Sequence, residues 1–287
     1  MILITGASGN VGREVLKQIA ATGARVRAAF QSLGKASSAP SGVEVVTMDY
    51  RDPKTLAVLE DVDRVFLVGP PTANLPALER NAVNAIEDSG VRHIVKLSAM
   101  GGREAIFPRQ HAESEDYIKS SGVPYTFLRP NGFMQNFVTY NSATINSQNA
   151  FYGVQGDGTV SHIDIRDIAA VAVKVLTEDG HEGKAYTLTG LEALRNARCA
   201  EILSEDIGRE IRYVDLPVDE FKKALLSAGV PEWSTDALID LQRFYAWGGA
   251  SVVTGDVEQL LGRKPISFEQ FSRDYVEAFR PQMRAAS

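Results

Sequence analysis

The chain has 287 residues, 44% hydrophobic and 23% charged, the balance of an ordinary soluble protein that buries roughly three quarters of its unfolded surface without a staple. Its formal net charge of −6 argues against nucleic acid as a partner, since a phosphate backbone requires a basic stripe. The single cysteine, Cys199, excludes an intramolecular disulfide and a four-cysteine zinc site, and no apolar run approaches the ~18–20 residues of a bilayer span.

Residues 1–5 (MILIT) read as a strand that runs straight into Gly6-Ala7-Ser8-Gly9-Asn10-Val11-Gly12. From Val11 the apolar residues fall at Val15, Leu16 and Ile19, one face of a helix, and Gly23 stops it. Residues 26–30 and 43–48 are the second and third strands. Asp52-Pro53 then cap a helix through Leu56 and Leu59, with proline at the tolerated first position. Residues 64–68 form the fourth strand, and a helix over 75–89 closes at Gly90. The fifth strand is 93–97 (HIVKL), the next helix 110–121 ends at Gly122, and 125–129 (YTFLR) is the sixth strand. Farther on, 153–158 is turn-rich, 168–176 helical, 186–189 a strand returning to the sheet, 194–208 amphipathic, 212–216 extended and 219–228 helical.

Near-continuous apolar strands are buried on both faces, and helical connections between them imply right-handed crossovers. The expected fold is therefore α/β, a Rossmann-type doubly wound parallel sheet with a smaller, mostly helical C-terminal cap. The first domain is expected over 1–150, with 160–190 returning to it, and the interleaved cap on the substrate side over 191–287. Ligands of such sheets lie at the carboxyl ends of the strands.

Gly6, Gly9 and Gly12 stand where the first strand meets the first helix. Gly6 suits a tight turn, Gly9 lets the backbone approach a pyrophosphate, and Gly12 permits close helix–strand packing, so Ser8, Gly9, Asn10, Val11 and Gly12 line a dinucleotide phosphate at the helix N-terminus. At the end of the second strand an NAD-binding protein places a carboxylate on the ribose 2′-hydroxyl. Here the run is Ala29-Phe30-Gln31-Ser32-Leu33-Gly34-Lys35, with no carboxylate to repel a 2′-phosphate and no arginine to grip it. Gln31, Ser32 and Lys35 are candidate donors, although Lys35 also reads as a solvated loop lysine; NADP(H) is favoured and NAD(H) stays open. Asp49 and Tyr50 end the third strand where the adenine would lie, and Gly69-Pro70 end the fourth, where a residue without a side chain lets ribose and nicotinamide rest on backbone. No histidine spacing suggests a metal.

The glycine spacing, Asp49-Tyr50, the run from Ser121 to Phe133 (SGVPYTFLRPNGF), Asp164-Ile165-Arg166-Asp167-Ile168-Ala169 and Leu261-Gly262-Arg263 together resemble the atypical short-chain dehydrogenase/reductases of the NmrA-like group, in particular the branch of azoreductases, triphenylmethane reductases and quinone oxidoreductases. The resemblance spans nearly the whole chain. It implies Ser98 as the residue that orients a substrate oxygen. If Glu115 takes the place of the family glutamate, His111 stands where the family carries lysine and Phe107 where it carries the proton-donating tyrosine. Phenylalanine donates no proton, so ketone chemistry and sugar epimerisation are disfavoured. His111 remains as a proton donor or as a ligand of the nicotinamide ribose, or as a helix histidine tied to Glu115.

The expected activity is NAD(P)H-dependent hydride transfer to an electrophilic aromatic acceptor, a quinone or azo compound. Reduction of an activated double bond or a carbonyl shares the same cofactor geometry. The alternative, from a different class, is an NmrA-like redox sensor that binds dinucleotide without turnover. Phe133, Met134, Asn136 and Phe137, with Tyr140, Phe151 and Tyr152, are expected to wall a flat aromatic pocket, closed by Trp233, Phe244, Tyr245 and Trp247. Folded-type sequence from Met1 leaves no room for a signal peptide, and a cytoplasmic monomer or homodimer without nucleic-acid or membrane partners is expected. Cys199 reads as a small buried hydrophobe.

Overall fold

Short apolar runs with helices between them bury both faces only by pairing side by side in parallel, and the computed structural model, which describes residues 1–280, has this arrangement. In chain order the elements are β1 Ile2–Ile4, α1 Asn10–Ala20, β2 Val26–Phe30, β3 Glu44–Thr47, β4 Arg64–Leu67, α2 Leu75–Glu87, β5 His93–Leu97, α3 Ile106–Ser121 and β6 Tyr125–Pro130. Then follow α4 Ser142–Gln148, β7 Ala150–Gly153, β8 Thr159–Val160, α5 Ile165–Thr177, β9 Lys184–Leu188 and β10 Leu194–Arg195. The chain continues through α6 Asn196–Ile207, β11 Arg212–Asp215, α7 Val218–Ser227, α8 Glu232–Ala246, α9 Asp256–Leu261 and α10 Phe268–Asp274.

The first compact unit comprises Met1–Pro130, Ile165–Leu188 and Gly255–Arg263. Its seven strands run in the order β3-β2-β1-β4-β5-β6-β9, and every neighbouring pair is parallel. Helix α1 packs on α5 and α2 on α3. Leu3, Val65, Leu67, Ile94 and Phe127 are shut off from water in its core. Two local details differ from the sequence pattern. Residues Pro53–Leu59 wind as a 3₁₀ helix, capped by the Asp52 side chain accepting from Lys54 N. Helix α3 starts at Ile106 rather than at 110, because Pro108 falls in its first turn, where a missing N–H costs nothing.

The second unit comprises Asn131–Asp164, Thr189–Thr254 and the chain from Lys264. Residues 131–150 thus belong to this unit, whereas the sequence pattern carries the first domain to 150. The physical reason is a separate core: Phe137 meets Phe151 at 5.3 Å and Phe268 at 5.0 Å, both edge-on, and buries with Met134, Cys199 and Phe271. Here β7 pairs in parallel with β11, and β8 antiparallel with β10. The last seven residues of the expected cap, 281–287, lie outside the described residues. Among the described residues, no helix is long and apolar enough to cross a membrane.

Candidate functional site

The strand order reverses between β1 and β4, the place where an open α/β sheet leaves a crevice at its carboxyl edge. The chain leaving β1 turns at Gly6 with φ +60°, a conformation glycine adopts without penalty. A Cβ there would stand 2.9 Å from Val68 Cβ. Gly9 N donates to the Gly6 carbonyl at 2.9 Å and is the N-cap of α1, which has no side-chain cap hydrogen bond and no acidic residue in its first turn. At Gly12 a Cβ would collide with the Gly6 carbonyl oxygen and approach its carbon to 2.8 Å. Helix α1 is therefore seated flush on the turn, its positive end at the crevice, a cradle that fits a pyrophosphate. Ser8 is half-buried and Asn10 exposed, while the Val11 side chain points into the core, leaving only its backbone for a ligand. Thr5 Oγ1 ties the two central strand ends together, donating to Phe66 O at 2.9 Å and accepting from Val68 N at 2.8 Å.

At the adenosine end Gln31, Ser32 and Lys35 are all exposed. Asp49 is not an isolated strand-end carboxylate. Arg51 Nη2 donates to its Oδ2 at 2.6 Å, Nε to Oδ1 at 2.9 Å, and the Arg51 backbone N–H adds a third bond. These bonds, with one from Gln31, hold the Asp49 carboxyl down at about 2. The loop after β3 thus carries an arginine, Arg51, paired with Asp49. Tyr50 corrects another expectation: it is buried in the first unit's core, with its hydroxyl donating to Val68 O at 3.1 Å, so it supports the crevice from below and offers no face to an adenine.

Gly69 follows β4, where a Cβ would press on Leu75 and stand 2.7 Å from Glu79 Oε1; Pro70 beside it is exposed. Beneath Gly69 lies a polar cluster. Lys96, in the middle of β5, is completely buried, and its Nζ donates to both oxygens of Glu79, from α2, at 2.7 and 2.6 Å. Lys96 Nζ also stands 3.2 Å from His111 Nδ1. Desolvation, and then the Lys96 charge, hold the imidazole well below its ordinary value. His111 is thus tied to Lys96, not to Glu115. The lysine inside HIVKL carried the signal, since a cation in a strand buried on both faces has to meet a carboxylate.

Glu115 anchors a second cluster. Ser98 Oγ donates to its Oε1 at 2.6 Å, and Arg129 donates to both carboxylate oxygens, through Nε at 2.8 Å and through Nη2. Ser98 has one hydroxyl proton and gives it to Glu115, so it meets a ligand only as an acceptor. Phe107 lies on α3 near its start. The two motifs Asp164–Ala169 and Leu261–Arg263 meet through Arg263 Nη2 and the buried Asp167 Oδ1, 2.7 Å apart.

In the second unit, the expected aromatic wall divides. Met134, Phe137, Phe151 and Phe244 are buried, the first three in one core, Phe133 and Asn136 are half-buried, and Tyr140 and Trp247 face solvent at 73% and 79% exposure. Met134 and Phe137 are therefore core residues, with Phe137 set edge-on to Phe151, His162 and Phe268. Cys199 is fully buried, and burial pushes its thiol up. Among the described residues, no group of three or more His, Cys, Asp or Glu side chains is placed to hold a metal.

Comparison with known proteins gives a consistent picture. The model of an NAD(P)H-binding family matches residues 6–179. The chain is 34% identical to the NAD(P)H azoreductase of Xenophilus azovorans, covering 97% of this chain and 99% of that protein. It is 39% identical to a (4-alkanoyl-5-oxo-2,5-dihydrofuran-3-yl)methyl phosphate reductase of Streptomyces griseus, over 98% of this chain and all of that one. Among solved structures, the NADPH-dependent quinone oxidoreductase of Escherichia coli, complexed with NADPH, superposes with a TM-score of 0.88 at 28% identity, covering 96% and 99% of the two chains.

Proposed function

The chain belongs to the NAD(P)H-binding family, and from that premise we propose that it is a reductase that passes a hydride from NADPH, with NADH as a second donor, to an electron-poor aromatic acceptor such as a quinone or azo compound. The observation that carries the reading is Gly12 lying flush on the Gly6 carbonyl at the uncapped start of α1, a cradle shaped for a dinucleotide diphosphate. The nicotinamide, when bound, supplies the hydride. The protein's part is to hold and to orient. The first turn of α1 takes the diphosphate through backbone N–H groups. Lys35 and Arg51 supply cationic character for a 2′-phosphate, and Arg51 offsets the Asp49 charge that would repel it. His111, beside the Gly69 end of the crevice through its link to Lys96 and Glu79, serves the nicotinamide half.

The acceptor class is supported by the resemblance, which puts Phe107 where the family carries its tyrosine, and by Ser98, which gives its proton to Glu115. An acceptor that needs prior protonation is poorly served; one whose own electrophilicity draws the hydride is well served. The Streptomyces relative, named as a reductase of a conjugated furanone, supports a second acceptor type, an activated carbon–carbon double bond. We place the enzyme in the cytoplasm as a monomer or homodimer. Purified protein supplied with NADPH or NADH and a panel containing a simple quinone, an azo dye and an unsaturated lactone tests the reading by nucleotide oxidation. Turnover with the quinone or dye is expected. Tight nucleotide binding with no oxidation across the panel would favour a regulatory dinucleotide sensor.

A further inference from the structure

We propose that the buried Glu79–Lys96 pair is a positioning device that holds His111 in one neutral form, with the proton on Nε2, so that His111 acts as a fixed hydrogen-bond donor and not as a proton source. The proposal deepens the reductase reading and rests on it for the meaning of the donor, though not for the donor's existence.

The geometry leaves one proton arrangement. Lys96 Nζ is 2.7 and 2.6 Å from the two Glu79 oxygens, in a place where both side chains are shut off from water. This is a charge-assisted pair of ammonium and carboxylate. Its remaining neighbours are Leu97 O at 3.4 Å and His111 Nδ1 at 3.2 Å. An ammonium has donors and no lone pair, so Nδ1 accepts. In a neutral imidazole the single proton then resides on Nε2. A second proton, on Nδ1, would aim an N–H at the buried ammonium and set two cations against one carboxylate, which the desolvation of the half-buried ring opposes as well.

Among the described residues, no other charge compensates. The groups facing His111 are Lys96 from β5 and, through it, Glu79 from α2. One turn farther along α3, Glu115 is committed to Ser98 and Arg129. Glu79 is held in turn beneath Gly69, where any side chain would press on its Oε1.

A neutral imidazole N–H is a competent hydrogen-bond donor and a very weak acid. Hydride arrival carries two electrons and one proton to the acceptor, leaving the oxidised nucleotide, and the electron pair displaced onto an acceptor oxygen or nitrogen is met by a donor and not by an acid. The balancing proton comes from water. This restricts productive acceptors to those whose reduced form is a delocalised anion, on oxygen for a quinone or a conjugated lactone and on nitrogen for an azo compound. It excludes isolated ketones, which would leave an alkoxide.

The test reads the proton directly, without nucleotide. Long-range ¹H–¹⁵N correlation spectra of the uniformly labelled protein report the tautomer and titration of each histidine, with the His111 signals identified by their loss in His111→Gln. The expected result is the Nε2–H tautomer with no titration between pH 5.5 and 8. An Nδ1–H tautomer, or titration near the ordinary value of about 6.5, would overturn the proposal. In the double variant Lys96→Met/Glu79→Gln, which removes both charges together so that neither ion is stranded, the His111 midpoint is expected to rise by about one pH unit or more and both tautomers to appear. An unchanged tautomer and midpoint there would equally overturn it. If the double variant does not fold, the wild-type spectrum still decides. A wild-type protein that shows the Nε2–H form but oxidises no NADPH would support the positioning device and defeat the reductase reading alone.

Discussion

His162 offers a quantitative test of the packing in the second unit. Both of its ring nitrogens are shielded from solvent, and its ring stands edge-on to Phe137 at 5.4 Å. Burial lowers its pKa from 6.5 to about 4. Because the folded value lies below the unfolded one, the unfolded chain takes up the proton first as the pH falls. The neutral ring's contribution is complete above about pH 6.5 and is lost progressively toward pH 4. Proton linkage between these two values removes about 2 kcal/mol by pH 5 and about 3 kcal/mol by pH 4. The perturbation is His162→Leu, which abolishes proton uptake at this position. Urea unfolding of both proteins at pH 7.5 and pH 5 measures the difference. His93, His111 and His181 are shifted in the same direction but are common to both proteins and cancel. Wild type is expected to lose about 2 kcal/mol more than the variant between the two pH values. Equal losses would mean that the ring is hydrated in the folded protein and that the reasoning from its burial is wrong.

Two substitutions probe the cradle and its frame. Gly12→Ala forces a methyl group onto the Gly6 carbonyl and is expected to cost about 1–3 kcal/mol of stability and to weaken NADPH binding at least tenfold. Gly34→Ala, with open space around it, should leave both within about 0.5 kcal/mol; thermal melts and a nucleotide fluorescence titration check the pair. Arg263→Ala removes the guanidinium 2.7 Å from the buried Asp167 carboxylate and should destabilise by about 1–3 kcal/mol, the half-exposed arginine keeping the effect below that of a fully buried pair. A double-mutant cycle with Asp167→Asn should recover part of the loss.

The residues expected to hold a dinucleotide divide by the kind of reasoning that found them. Gly6, Gly9 and Gly12 were identified from spacing between a strand and a helix, and the steric facts at Gly6 and Gly12 arise from the same local turn. The position of Tyr50 after a strand does not say which way its ring points; its hydroxyl turns inward to Val68 O. The aromatic and apolar character of Met134 and Phe137 suits a pocket wall and a core equally; they share one core, where Phe137 meets a ring as distant in sequence as Phe268. Arg51 is not marked by spacing from the glycine loop, because it reaches this edge only through the pairing of β3 beside β2.

The amino-acid sequence by itself determined the alternation of strand and helix, the parallel sheet and the nucleotide cradle, because each depends on periodicity or on backbone sterics within a few residues. The tertiary structure decided the chemistry of His111. Its partner Lys96 lies 15 positions away on a strand, and the carboxylate that charges that partner lies 17 farther back on another helix. Helix and strand periodicity assign faces but not which side chains on two packed faces touch, and only docking α2 and α3 onto β5 joins the three groups and sets where one proton resides.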